Sequence, residues 1–170
     1  MRKIGISRIF FLVFVFIFIT ACSIEQGKHK KENVNPVQTY LKNEFTGPSD
    51  ELINALEQKG PYPPELKAYV EENYKPLVTD VENFVNKNLA LIYLRTAYEN
   101  GYHLKPVNID IQKIDGIEEE AYDYEVVVEY TKDGQTNTAN VSGIMNLSQN
   151  GKISTIRNMD DGGLLEKMKK

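Results

Sequence analysis

The spacing of the apolar residues changes once along this chain, at Pro106, and that change limits the fold more than any other feature. Before it the spacing is helical. Val37, Leu41 and Phe45 recur at four-residue intervals up to Gly47-Pro48, which places them on one face of a helix. Ser49-Asp50-Glu51-Leu52 opens a second short helix, with Ser49 as N-cap, acids in the first turn and Gly60-Pro61 as the stop. Pro63-Pro64-Glu65 starts a third through Leu66, Tyr69, Val70 and Tyr74, closed by Pro76. Thr79-Asp80-Val81-Glu82 starts the longest. Val81, Phe84, Val85, Leu89, Ile92 and Tyr93 predict that it runs unbroken to Ala97 and stops at Gly101.

After Pro106 the period is two. Val107, Ile109 and Ile111 alternate with Asn108, Asp110 and Gln112. Tyr122, Tyr124, Val126, Val128 and Tyr130 alternate with Asp123, Glu125, Val127 and Glu129. Segments 136–147 and 152–159 complete four predicted strands. Asp115-Gly116, Asp133-Gly134 and Asn150-Gly151 separate them, each pair suited to a turn that needs positive φ. Short connections imply an antiparallel meander. Helices followed by such a sheet read as an α+β fold, with N-terminal helices packed on one face of a four-stranded sheet. Asp160-Asp161-Gly162-Gly163 and the basic tail Lys167, Lys169 and Lys170 read as a frayed end.

The N-terminus reads as an address. Arg2, Lys3 and Arg8 precede eleven unbroken apolar residues, Ile9 to Ile19, and then Thr20-Ala21-Cys22. This is the layout of a secretory signal peptide, and the apolar run is short of the ~20 residues a spanning helix needs. Ile19-Thr20-Ala21-Cys22 resembles the lipobox of bacterial lipoproteins, with Ile19 where that family most often has Leu. The resemblance implies a diacylglyceryl thioether on Cys22, cleavage before it, and a mature chain held at the outer face of the cell membrane by acyl chains worth ~0.8 kcal/mol per buried CH₂. The expected organisation is a signal peptide over 1–21, lipidated Cys22 and a flexible tether to residue 36, one domain over 37–164, and a basic tail over 165–170. Lys28, Lys30 and Lys31 in the tether read either as a solvated charge run or as contacts to anionic headgroups worth ~1 kcal/mol each, and His29 carries no assigned chemistry.

Composition removes several classes. Without residues 1–21 the chain carries 17 basic and 24 acidic side chains, and the 37–164 domain alone holds 11 and 21, net −10. That balance argues against nucleic acid as a partner, which calls for clustered Lys and Arg, while it suits a basic partner. One Cys makes neither an intramolecular disulfide nor a thiolate zinc site. Asp160-Asp161-Gly162-Gly163 lacks the alternating ligands and terminal Glu of a calcium loop. No metal and no cofactor is expected. Asn140-Val141-Ser142 and Asn146-Leu147-Ser148 match the glycosylation acceptor pattern, but both fall inside a predicted strand.

The predicted helix around Phe84–Ala97, the Tyr122–Tyr130 strand, and Gly143-Ile144-Met145-Asn146-Leu147 followed by Asn150-Gly151-Lys152-Ile153 together resemble the nuclear transport factor 2-like (cystatin-like) domains, over about residues 37–160. The resemblance implies a curved, cone-shaped sheet around the long helix, with a cavity that some members use for ligands or for isomerase and dehydratase chemistry. Catalysis there requires an acid/base pair inside the cone. The candidates are His103, just past the helix stop, as base, Asp110, on the strand face opposite Ile109 and Ile111, and Tyr98 or Tyr122. Tyr93, Tyr98, Tyr122 and Tyr124 are the candidate ligand- or partner-contacting residues, since tyrosine joins an apolar body to a polar tip. Glu118, Glu119 and Glu120 read as a solvated loop. The leading expectation is a tethered, non-catalytic module that binds another envelope protein or a small apolar ligand. The alternatives are a cone-cavity enzyme and an inhibitor or chaperone of a larger envelope protein.

Overall fold

The computed structural model describes residues 34–116 and 119–170. The signal peptide, Cys22, the tether as far as residue 33 with His29, and Glu118 lie outside the described residues. The chain is α+β. Among the described residues five helices come first: α1 (Val34–Phe45), α2 (Asp50–Leu56), α3 (Pro64–Asn73), α4 (Val81–Asn86) and α5 (Ile92–Asn100). Four strands follow, β1 (His103–Ile114), β2 (Ala121–Lys132), β3 (Gln135–Leu147) and β4 (Ile153–Asp160), and then α6 (Leu164–Met168). The strands form one antiparallel sheet in the order β1-β2-β3-β4. Among the described residues no helix is long and apolar enough to cross a membrane.

Alternation decides which face of the sheet is covered. Tyr122, Tyr124, Val126 and Val128 on β2 pair with Met145, Gly143, Val141 and Ala139 on β3, and all eight lie on the buried face. Their neighbours Asp123 and Glu125 point to solvent. The apolar residues of the helices join that face in one buried core: Val37, Leu41 and Phe45 from α1, Leu52 from α2, Leu66 and Val70 from α3, Phe84 from α4 and Leu94 from α5. Asp133-Gly134 turns β2 into β3 with φ of 52° and 76° at its two residues, the doubly positive geometry that matches strand twist. The Ser49 hydroxyl accepts from Leu52 N at 3.2 Å, as its cap position requires.

The structure corrects four local expectations. The long helix is two, α4 and α5, because Asn88 and Leu91 adopt left-handed φ of 55° and 69°. The helix that carried part of the fold resemblance is therefore interrupted in its middle. Val107 does not continue the alternation of Ile109 and Ile111. The β1–β2 register shifts between Pro106 and Asn108, and Val107 stands out at 45% exposed, an extra residue accommodated as a bulge. At the front, α1 begins at Val34, inside the expected tether.

The expected frayed end is the fourth correction, since it forms α6. Leu164 and Met168, one turn apart, are both fully buried, and apolar residues at that spacing dock a helix on the core. Asp161 sets its start, accepting from Gly163 N at 2.8 Å through Oδ1 and from Leu165 N at 3.1 Å through Oδ2. These two bonds satisfy N–H groups that a helix leaves unpaired. Asp161→Ala is expected to cost about 1 kcal/mol in denaturant unfolding, the typical loss of a cap.

Candidate binding site

The break between α4 and α5 is held from α1. Tyr40 and Glu44, one helical turn apart, face the same side of α1 as Leu41 and Phe45. Tyr40 donates its hydroxyl to the Leu89 carbonyl. Glu44 Oε2 accepts from Leu91 N at 2.9 Å and from the Tyr74 hydroxyl at 3.1 Å. A carboxylate there lies at the amino end of α5, where the helix presents unpaired N–H groups and its positive dipole end. The grip explains how Leu91 keeps a left-handed backbone that costs a branched side chain energy. Its side chain is fully buried in return. Tyr40 also packs edge-on against Tyr74 and Phe84, at 5.9 Å and 6.3 Å between ring centroids.

Glu44 is 1% exposed, and burial raises its carboxyl from 4.5 to about 7. The Leu91 and Tyr93 N–H groups, the Tyr74 hydroxyl and the Arg95 charge pull the other way without cancelling the loss of water. Oε1 is buried without a hydrogen bond. Burial, reinforced by the Glu44 charge, pushes the Tyr40 and Tyr74 hydroxyls well above their ordinary range. Tyr93 and Tyr124 are raised too, again mainly by burial. All four phenols stay neutral hydroxyls near neutral pH.

Arg95 lies one turn beyond Leu91 on α5, its backbone N–H bonded to the Leu91 carbonyl at 2.8 Å. It forms part of the wall of an open groove of about 540 Å³ between the α2–α3 loop and α4. Tyr62 from that loop, Lys67 from α3, Glu82 and Asn86 from α4, and Asn88 from the break complete the polar lining, with Pro61 and Val85 supplying apolar wall. The Arg95 Nε is buried and has no hydrogen-bond partner. Among the described residues Tyr62 is one of the few large side chains with an apolar body left open, at 38% exposed. Partial burial raises its hydroxyl, and the Arg95 charge opposes that shift. The groove thus offers an under-used guanidinium, two carboxamides and an aromatic rim.

The residues predicted from sequence lie elsewhere. Tyr93, Tyr122 and Tyr124 are buried at 2%, 0% and 3% exposed; they are core, unavailable to an external partner. Tyr93 packs on Phe45 at 4.9 Å, and the Tyr122 hydroxyl donates to Glu120 Oε1 at 2.7 Å. Tyr98 is half-buried on α5. His103 and Asp110 are both exposed on β1, seven residues and about 23 Å apart along an extended strand, so they do not converge on one substrate. Glu119 accepts from Asn146 Nδ2 at 2.8 Å, and Glu120 pairs with Lys113 at 3.7 Å. Among the described residues no group of three or more His, Cys, Asp or Glu is arranged to hold a metal ion.

Sequence reasoning missed Glu44, Tyr62 and Arg95. A signal existed for Glu44, which falls on the helix face of Leu41 and Tyr40 where an apolar residue is expected. Arg95 and Tyr62 meet only because the chain breaks at residues 88–91, and no spacing announces that meeting. Comparison of the chain with protein-family models and with curated proteins gives no match to either.

Proposed function

We propose that this chain is an extracytoplasmic lipoprotein, moored to the outer face of the cell membrane through a diacylglyceryl group on Cys22, and that its acidic domain is a non-catalytic binding module. The groove over Arg95 is its binding surface, and an envelope protein is its partner. The observation that carries this reading is the unpaired, buried Arg95 Nε beside an exposed tyrosine ring, in a domain of net charge −10. A donor left without a partner is costly in a folded chain, and a ligand that accepts from it, once the Arg95 side chain turns toward the groove, recovers that cost. The lipobox and the preceding apolar run support the location. The inward tyrosines support an external site, since their rings occupy the space between helices and sheet.

Two measurements test it. Cys22→Ala should leave the protein folded and move it from the membrane pellet to the soluble fraction; persistence in washed membranes counts against the anchor. A benzoylphenylalanine crosslinker replacing Tyr62 in living cells should capture a defined protein, with capture reduced at least about tenfold by Arg95→Ala. Capture that ignores Arg95 sends the binding surface elsewhere.

A further inference from the structure

We infer that the groove takes a singly charged carboxylate attached to an apolar or aromatic body, with the carboxylate on Arg95 and the body against Tyr62 and Pro61. This inference rests on the binding-module reading and names the chemistry of its ligand.

The charge of the lining selects an anion. Arg95 and Lys67 supply two positive charges and Glu82 one negative, a local excess of one in a domain whose net charge is strongly negative. A dianion such as a phosphate monoester meets the Glu82 charge and the field of the whole domain at twice the cost. A monoanion matches the excess. Among monoanions the guanidinium favours a planar carboxylate, which accepts two parallel N–H bonds from its fork. The Arg95 Nε, one of the donors that forms such a fork, is unpaired. Glu44 feels the Arg95 charge but does not pair with it: its Oε2 is committed to Leu91 N and the Tyr74 hydroxyl, and no ion pair joins it to Arg95 among the described residues.

The rest of the lining describes the body of the ligand. Tyr62 offers a ring face at the rim, and Pro61 and Val85 extend the apolar surface. The Asn86 and Asn88 carboxamides can each both donate and accept, which suits an amide next to the carboxylate. A volume of about 540 Å³ falls in the range of small-ligand sites. The chemistry is shared by a free aromatic acid and by the last residue of a peptide with an apolar side chain.

The probe is N-acetylphenylalanine, titrated into the full-length protein in detergent micelles and read by NMR at the Arg95 Nε–H and the Asn88 amide. Saturable shifts at both signals are expected below about 10 mM, with N-acetylphenylalaninamide, which lacks the charge, weaker by at least about tenfold. Phenylacetate binding as well as the acetylated amino acid assigns the ligand to free acids; preference for the acetylated compound assigns it to chain ends. Tyr62→Ala, at an exposed position, should weaken binding with the Arg95 signal still responding, and Arg95→Gln should abolish the discrimination between acid and amide. Equal binding of acid and amide by the wild-type protein overturns the inference, as do shifts confined to other residues or no saturable shift at all. If the crosslinker at position 62 still captures a protein in that case, the binding surface survives and only its carboxylate chemistry is lost.

Discussion

Between about pH 5 and about pH 8 the unfolding free energy of this protein is expected to fall by about 2.5 kcal/mol relative to a Glu44→Gln variant. The sign follows from the direction of the shift. The folded carboxyl titrates near 7, while the ordinary value is 4.5. Its stabilising contribution is complete below the ordinary value, where both states hold the proton, and is lost as pH rises through the folded value. Glutamine has the same shape, keeps an acceptor for Leu91 N and the Tyr74 hydroxyl, and does not titrate. Denaturant unfolding of both proteins across that range measures the difference. Parallel curves would show that the Glu44 carboxyl does not feel its burial. Glu44→Ala, by contrast, should cost about 3 kcal/mol at the acidic end, since it leaves two donors unpaired and opens a cavity.

The second large effect lies in the sheet. Gly143 on β3 pairs with Tyr124 on β2, and the tyrosine ring lies across it. A Cβ at position 143 would sit 2.7 Å from the Tyr124 Oη, 3.0 Å from Cζ and 3.1 Å from Cε1. The ring is 3% exposed and packed under the helices, so it cannot swing aside cheaply. Gly143→Ala is expected to destabilise by about 3 kcal/mol, the upper part of the range for overfilling a core. Tyr124→Phe removes only the nearest atom and should relieve a minor part of that loss; Tyr124→Val removes the ring and should relieve most of it. The double-mutant cycle measures the coupling, and strictly additive losses would disprove the ring-over-glycine account.

These two sites show what the sequence reveals and what it hides. The four strands and their turns are legible because alternation has a single meaning on a half-buried sheet: Tyr122, Tyr124, Val126 and Val128 must share a face. The Val107 bulge is not legible, because one extra residue leaves the apolar pattern of β1 looking regular. The α4–α5 break is hidden for a related reason. Leu89, Leu91 and Ile92 keep an apolar rhythm through it, while the left-handed turns at Asn88 and Leu91 are secured by Tyr40 and Glu44 more than forty residues earlier. Periodicity reports which residues avoid water and is silent about long-range polar bonds that redirect the backbone. Gly143 is visible only as a glycine inside a strand, a pattern that signals close approach without naming what approaches. The short α6 escapes because Leu164 and Met168 form a single pair among charges.

Main-chain contacts from the helical half close the outer margins of the sheet at their leading ends. Gly47 exchanges both backbone hydrogen bonds with Leu104, at 3.0 Å and 2.6 Å, and the chain around Val78 bonds Ile153 through Leu77 O and Thr79 N. A second molecule arriving edge-on finds those donors and acceptors already used. Further along β1 it meets Pro106, the bulged Val107, and Lys105 and Lys113, features that oppose strand-to-strand docking. These features therefore oppose growth of one sheet into the next along β1 and at the start of β4, the kind of pairing that seeds fibrous aggregates.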